Sequence, residues 1–153
     1  MNSEPKIVSL GPADAARIAA MLKAASQEYA AHFHPFAFDE ATVRAQLERA
    51  RKDCFWGLEC GAKLAGFFML RGFDEGYERP SFGVFVAEQF AGRGLARQAL
   101  DTATQWCKEN GVREMMLTVF PENAAARRVY EEAGFAVAEN RPEKIVMTKR
   151  LAK

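Results

Sequence analysis

Residues 86–100 read VAEQFAGRGLARQAL, and the chemistry they suggest is anion binding. Gly92 and Gly94 stand between an apolar run and a helical pattern. The first turn of a helix carries N–H groups with no intrahelical acceptor, and the helix dipole adds partial positive charge there. The two glycines let the main chain approach a ligand closely, and Arg93 and Arg97 bring formal charge to the same turn. Such a turn suits a phosphate or pyrophosphate. The dinucleotide-binding fingerprint is not met, because it needs a third glycine and an early strand–helix unit. The nucleoside-triphosphate loop is not met either, because Gly-Lys followed by Ser or Thr is absent. Glycines that merely start a helix remain a sufficient reading of this stretch taken alone.

Hydrophobic spacing outlines the elements that hold these residues. KIVSL (6–10) predicts a first strand, stopped at Gly11-Pro12. Residues 13–31 carry Ile18, Met21, Leu22 and Ala25 at helical spacing and predict one helix, followed by HFHPFAF with its break at Pro35. Asp39 is placed to cap a short helix bearing Val43 and Leu47. CFWGLEC and KLAGFFMLR flank Gly61 as an antiparallel hairpin, and the polar loop GFDEGYERP leads into the strand SFGVFVA. A helix from about Gly92 to Asn110 carries Leu95, Ala99, Ala103 and Trp106 on one face and stops at Gly111, a left-handed cap. REMMLTVF is a strand ended by Pro121. Asn123 caps a helix that turns Ala126, Val129, Tyr130 and Ala133 inward and closes at Gly134. FAVAE and KIVMTKRL are the final strands. This order predicts a mixed α/β fold. Its central twisted sheet is mostly antiparallel, with a parallel β-α-β step after SFGVFVA and about four flanking helices.

Length and composition limit the remaining choices. A chain of 153 residues and 17.0 kDa reads as one domain, 1–153, with a sizeable core. Basic and acidic residues number 21 and 20, so no global field draws in nucleic acid or an anionic membrane, and an anion site must be built locally. The N-terminus lacks the pattern of a signal peptide, and no apolar run approaches the roughly 18 residues of a membrane span. Cys54, Cys60 and Cys107 form no metal-type pair and read as reduced thiols in a cytoplasmic protein.

VAEQFAGRGLARQAL followed by NAAARRVYEEAGF resembles the Gcn5-related N-acetyltransferase superfamily. The family's loop pattern, Gln/Arg-x-x-Gly-x-Gly/Ala, falls on Ala91, Gly92, Arg93, Gly94, Leu95 and Ala96. Its later motif falls on Asn123, Ala126, Tyr130, Gly134 and Phe135. The resemblance is close from about residue 55 onward and looser before it. Ala91 departs from the usual Gln or Arg, losing a side-chain contact while keeping its main-chain N–H.

What the resemblance implies is an acetyl-coenzyme A-dependent enzyme without a metal. Acetyl transfer requires a held thioester, a deprotonated amine, donors for an oxyanion and a proton for the departing thiolate. By resemblance the strand 81–87 splays from the next strand at a bulge. Pantetheine lies in the gap, with Phe85 and Val86 giving main-chain contacts. The pyrophosphate sits on the turn from Ala91 to Arg97, and Asn123 and Ala126 meet the pantetheine arm, Asn123 capping its helix at the same time. Tyr130, about two turns beyond Asn123 on the same helix side, is the candidate general acid, since a phenol with an ordinary pKa of about 10 is protonated at neutral pH. A core tyrosine with a satisfied hydroxyl is the alternative. Glu78 is the candidate base or amine anchor; Asp74 and Glu75 share its loop, and a solvated acidic turn accounts for all three equally well. His34 is a second candidate for the base. With Phe36 it is also expected to bind substrate, among Tyr29, Phe33 and Phe38, which otherwise pack in the core. His32 and His34 lack the further ligands a metal site needs. The expected acceptor is the primary amine of a small molecule (amino sugar, polyamine or amino acid), acetylated directly in a ternary complex. The alternatives are a protein N-terminus or lysine as acceptor, and a non-catalytic acyl-coenzyme A sensor on the same fold. Neither nucleic acid nor membrane is an expected partner. A homodimer is compatible with the resemblance, although no stretch of sequence identifies an interface.

Overall fold

The structure, a computed structural model, describes residues 5–31, 33 and 35–151. Strand β1 (Lys6–Ser9) leads to a 3-10 turn, where the Asp14 carboxylate accepts the Gly11 N–H at 2.8 Å and fixes the entry to helix α1 (Ala15–Ala24). Ala15, Ile18, Ala19 and Leu22 are buried along α1, a spacing that keeps one face inward. The single helix expected over 13–31 is in fact two. Ala25 leaves helical geometry with ψ 145°, and Ser26 Oγ accepts the Tyr29 N–H to cap the one-turn helix α2 (Gln27–Ala30). The Ser26 N–H, freed by the break, donates to Glu88 Oε1 at 3.1 Å. Helix α3 (Glu40–Arg49) starts as predicted, Asp39 Oδ2 accepting the Thr42 N–H at 2.9 Å, with Val43 and Leu47 buried.

β2 (Cys54–Cys60) and β3 (Lys63–Arg71) form the expected hairpin. β4 (Ser81–Val86), α4 (Leu95–Glu109), β5 (Glu114–Val119), α5 (Ala124–Glu132), β6 (Ala136–Asn140) and β7 (Ile145–Arg150) follow. The strands make one sheet in the order β1-β2-β3-β4-β5-β7-β6, antiparallel except for β4 and β5. This is the mixed α/β fold expected, with five α-helices among the described residues because of the break at Ala25.

Strand alternation sends neighbouring side chains to two cores, one on each face of the sheet. Phe68 and Leu70 of β3 join Phe82, Leu117 and Met147 beneath Leu95, Ala99, Leu100 and Ala103 of α4. Phe67 and Met69 join Phe55 and Phe85 beneath Ile18 and Leu22 of α1 and Val43 and Leu47 of α3. Trp106, expected on the buried stripe of α4, is half-buried, its ring 5.9 Å from that of Trp56.

β4 and β5 are joined only where they begin. Ser81 pairs with Met116, and the Met116 N–H donates to the Pro80 carbonyl at 3.0 Å. Beyond that point β4 stays with β3 and β5 stays with β7, so the parallel strands part. The expected bulge is not what parts them, because the β3–β4 register runs from Arg71↔Ser81 to Gly66↔Val86 without a shift. Instead β4 closes on β3 at Gly66, where a Cβ would lie 2.5 Å from the Phe85 carbonyl oxygen. No helix among the described residues is long and apolar enough to cross a membrane.

Candidate active site

The parted strands open a cavity of about 1350 Å³. Its wall includes Gly92 and residues 94–97 at the start of α4, and Tyr29, Phe33 and Met69 on the face that carries α1 and α3. The direction of the β4 main chain follows from one hydrogen bond, from the Ala87 N–H to the Ala65 carbonyl at 2.7 Å. Hydrogen-bonded and free positions alternate along an antiparallel pair, so Phe85 also addresses β3, while Val84 and Val86 face the gap. The Val86 carbonyl indeed accepts elsewhere, from the Tyr29 hydroxyl at 2.7 Å. Of the residues expected to offer main-chain groups to the gap, Val86 does so and Phe85 does not, while Val84 does. Phe85 contributes a buried ring, edge-on to Tyr29 at 5.9 Å and tilted against Phe33 at 5.2 Å.

Gly92 and Gly94 take φ of 79° and 78°, the left-handed region that side chains disfavour. The helix consequently begins at Leu95 rather than near Gly92, with Gly94 as its cap. Its first main-chain bond runs from the Gln98 N–H to the Gly94 carbonyl at 3.1 Å, and among the described residues no acceptor faces the N–H groups of residues 92–97. Unpaired donors at a helix start beside a cavity suit an anionic ligand such as a phosphate. Arg97 lines the cavity and pairs with Asp101 at 3.0 Å. Arg93 is off the wall, its guanidinium 5.1 Å over the Phe90 ring.

Asn123 Oδ1 accepts the Ala126 N–H at 3.3 Å and caps α5, which leaves the amide NH2 to serve as a donor. α5 has no fully buried residue, because its inner face, with Ala126, Val129 and Tyr130, walls the cavity. Tyr130 is half-buried, its ring 6.3 Å from that of Phe135, and burial pushes its phenol up to about 12. Lys149 Nζ, 2.6 Å from the Ala133 carbonyl, holds the far end of the helix.

The acidic loop separates three carboxylates that the sequence leaves equivalent. Asp74 accepts the main-chain N–H groups of Arg51, Lys52 and Asp53 at 3.0, 2.7 and 3.2 Å. Those bonds hold its carboxyl below the usual range and make it a clamp between this loop and the start of β2. Glu75 is on the cavity wall. Glu78 is exposed and off the wall, and Phe36 is also off it, beneath the Arg71 guanidinium at 5.7 Å. The geometry thus brings Tyr130, Asn123, Ala126, Val86 and residues 91, 92 and 94–97 together and leaves Glu78, Phe36 and Arg93 outside. His34, with His32, lies outside the described residues. Sequence reasoning missed Val84, Arg71 as a wall residue, and Arg141 and Lys144 of the β6–β7 hairpin. Two-residue alternation with Val86 marks Val84, whereas only the fold brings the hairpin to the cavity. Among the described residues no group of three or more His, Cys, Asp or Glu is placed to hold a metal ion.

Comparison with known proteins agrees with this geometry. A family model described as the acetyltransferase (GNAT) family matches residues 18–135. An uncharacterized N-acetyltransferase of Bacillus subtilis, YycN, is 37% identical over 46% of this chain and 40% of its own length. An aminoglycoside N(6')-acetyltransferase of Salmonella typhimurium is 35% identical over 37% of this chain and 39% of its own. Both matched segments are well under half of those relatives. Among solved structures, the PaiA N-acetyltransferase of Thermoplasma acidophilum in complex with coenzyme A superposes with a TM-score of 0.81, covering 97% of this chain and 99% of that one at 15% identity, which speaks for the fold. The matched span takes in the glycine turn, the parted strands and the helix from Asn123 to Tyr130, and the chain accordingly belongs to the acetyltransferase (GNAT) family.

Proposed function

We propose that the protein is an acetyl-coenzyme A-dependent N-acetyltransferase that acylates the primary amine of a small molecule directly, in a ternary complex. The observation that carries the reading is the cavity through the β4–β5 gap, with unpaired amides at one end and an aromatic wall at the other. The residues fit the cosubstrate: positive-φ glycines aim their N–H groups where a diphosphate is held, and the gap accommodates an extended arm. Acetyl-coenzyme A, when bound, supplies the acyl group as an activated thioester.

The rest is the work of this chain. The turn from Ala91 to Arg97 anchors the cosubstrate through main-chain donors, and Leu95, Ala96 and Ala126 shape the passage. Val84 and Val86 present main-chain donors to the gap, where they stabilise developing negative charge on oxygen. The Asn123 amide positions the arm. Tyr130 stays protonated at working pH because burial favours its neutral form. It acts as the general acid, giving its proton to the sulfur as the C–S bond breaks, and the proton shed by the newly acylated nitrogen returns to the phenolate through water. On the amine side Glu75 replaces Glu78 as the loop carboxylate that attracts the ammonium and relays its proton to water. A small acceptor is supported by the aromatic wall and by the likeness to an aminoglycoside acetyltransferase. Calorimetry with coenzyme A, followed by thiol release over an amine panel, tests the reading. Tight binding with no turnover on any amine assigns the non-catalytic sensor instead, and no binding removes both.

A further inference from the structure

Resting on that acetyltransferase reading, we propose that the acceptor carries an anionic group, such as a carboxylate, as well as its amine, and that Arg71 binds the anion. Three observations support this. Arg71 is the last residue of β3, on the sheet face of Phe67 and Met69, and it lines the cavity on its aromatic side. It is half-buried, with its guanidinium 5.7 Å over the Phe36 ring, and it pairs with no carboxylate among the described residues. Arg79, the other cation of this wall, is already 3.6 Å from Glu114.

A guanidinium at a cavity wall, set over a ring and with no carboxylate paired to it among the described residues, is free to bind an anion that enters the cavity. It is also a planar fork suited to two carboxylate oxygens. The register sets the spacing. Phe68 faces Val84, so Arg71 lies three strand residues, about 10 Å, beyond the gap-facing main chain of Val84. Met69, opposite Gly83, lines the cavity between those two levels, which suits an apolar spacer. The exposed carboxylates Glu28 and Glu75 line the same cavity as Arg71, so the wall presents both signs of charge and suits a zwitterion. A polyamine or amino sugar would bring further cations to the cavity and leave the Arg71 guanidinium without an anionic partner. Of the small amines the fold could take, the amino-acid type is favoured.

The test compares 4-(aminomethyl)benzoate and 6-aminohexanoate with their uncharged amides, by thiol release and by calorimetry on the protein–coenzyme A complex. Wild-type protein is expected to favour each acid over its amide about tenfold or more in kcat/KM or in affinity. Arg71→Gln is expected to bring that ratio near one, and Arg71→Lys to restore part of it. Equal or reversed preference in the wild type overturns the inference, as does a ratio unchanged in Arg71→Gln, or no binding of either acid at millimolar concentration. Coenzyme A binding by each variant shows that it is folded. Loss of that binding in the wild type would instead overturn the acetyltransferase reading.

Discussion

The Tyr29 hydroxyl donates to the Val86 carbonyl at 2.7 Å, tying the one-turn helix on the acceptor side to the last residue of the strand that faces the gap. The other end of the same peptide group is fixed as well, since the Ala87 N–H donates to the Ala65 carbonyl at 2.7 Å. The Ser26–Glu88 contact makes a second tie between the same segments. Strand β4 and the segment that carries Tyr29 therefore keep one spacing, as the direct transfer proposed above would require.

Tyr29→Phe keeps the ring against Phe85 and removes only the donor. It should cost about 1 kcal/mol of stability, since the Val86 carbonyl loses its partner. It should also lower kcat/KM for the amine about tenfold, because the end of the strand is no longer held. Thermal unfolding and steady-state thiol release measure the two effects.

Tyr130→Phe should lower kcat much more than it changes the affinity for acetyl-coenzyme A. The phenol also makes a pH prediction. Its folded-state value near 12 exceeds the ordinary 10, so the folded protein binds this proton more tightly than the unfolded chain. The resulting stability is fully present below about pH 10 and is lost as pH rises toward 12. Denaturant unfolding across that window should show a shallower decline in Tyr130→Phe than in wild type. Equal slopes would place the hydroxyl in water.

Asn123→Asp separates capping from cosubstrate binding. Aspartate keeps an oxygen for the Ala126 N–H and lacks the NH2. Stability should stay within about 0.5 kcal/mol of wild type, while coenzyme A affinity falls several-fold. Asn123→Ala should lose both, with about 1 kcal/mol from the cap. Calorimetry and melting curves on the three proteins distinguish the roles.

Much of this arrangement is legible in the chain itself. Gly92 and Gly94 declare a turn with open main chain, and the hairpin at Gly61 and the caps at Asp39 and Asn123 follow from local chemistry. What escapes is what only tertiary contact decides. Nothing local tells that Ser26 will break a helical run, because its N–H finds Glu88 across the fold. Asp74, Glu75 and Glu78 are alike in sequence, and they separate only when the main chain at residues 51–53 claims one and the cavity takes another. Arg71 reads as the polar end of a strand until the fold sets it at the cavity wall with no carboxylate beside it among the described residues.

Gly94→Ala distinguishes main-chain strain from crowding at the anion turn. A Cβ on Gly94 meets nothing within 4 Å, so the whole cost is the positive φ of 78°. That cost should be about 1 kcal/mol in unfolding experiments. If the turn relaxes to relieve it, the N–H groups of residues 92–97 no longer converge, and coenzyme A affinity should fall by more than stability does.

Gly66→Ala presents the opposite case, crowding without strain. Its Cβ would lie 2.5 Å from the Phe85 carbonyl oxygen and 3.1 Å from the Val86 Cα, both main-chain atoms of β4 that no rotamer change can move aside. β4 would have to shift toward β5 and narrow the gap. Overpacking of this kind should cost about 1–3 kcal/mol of stability. Because Val86 moves with that shift and its main chain faces the gap, the proposed binding of coenzyme A there should weaken as well, while truncating an exposed side chain such as Glu78 leaves both unchanged. Comparing the two variants by unfolding and calorimetry separates a gap set by close approach at Gly66 from one set by the loop at Gly92 alone.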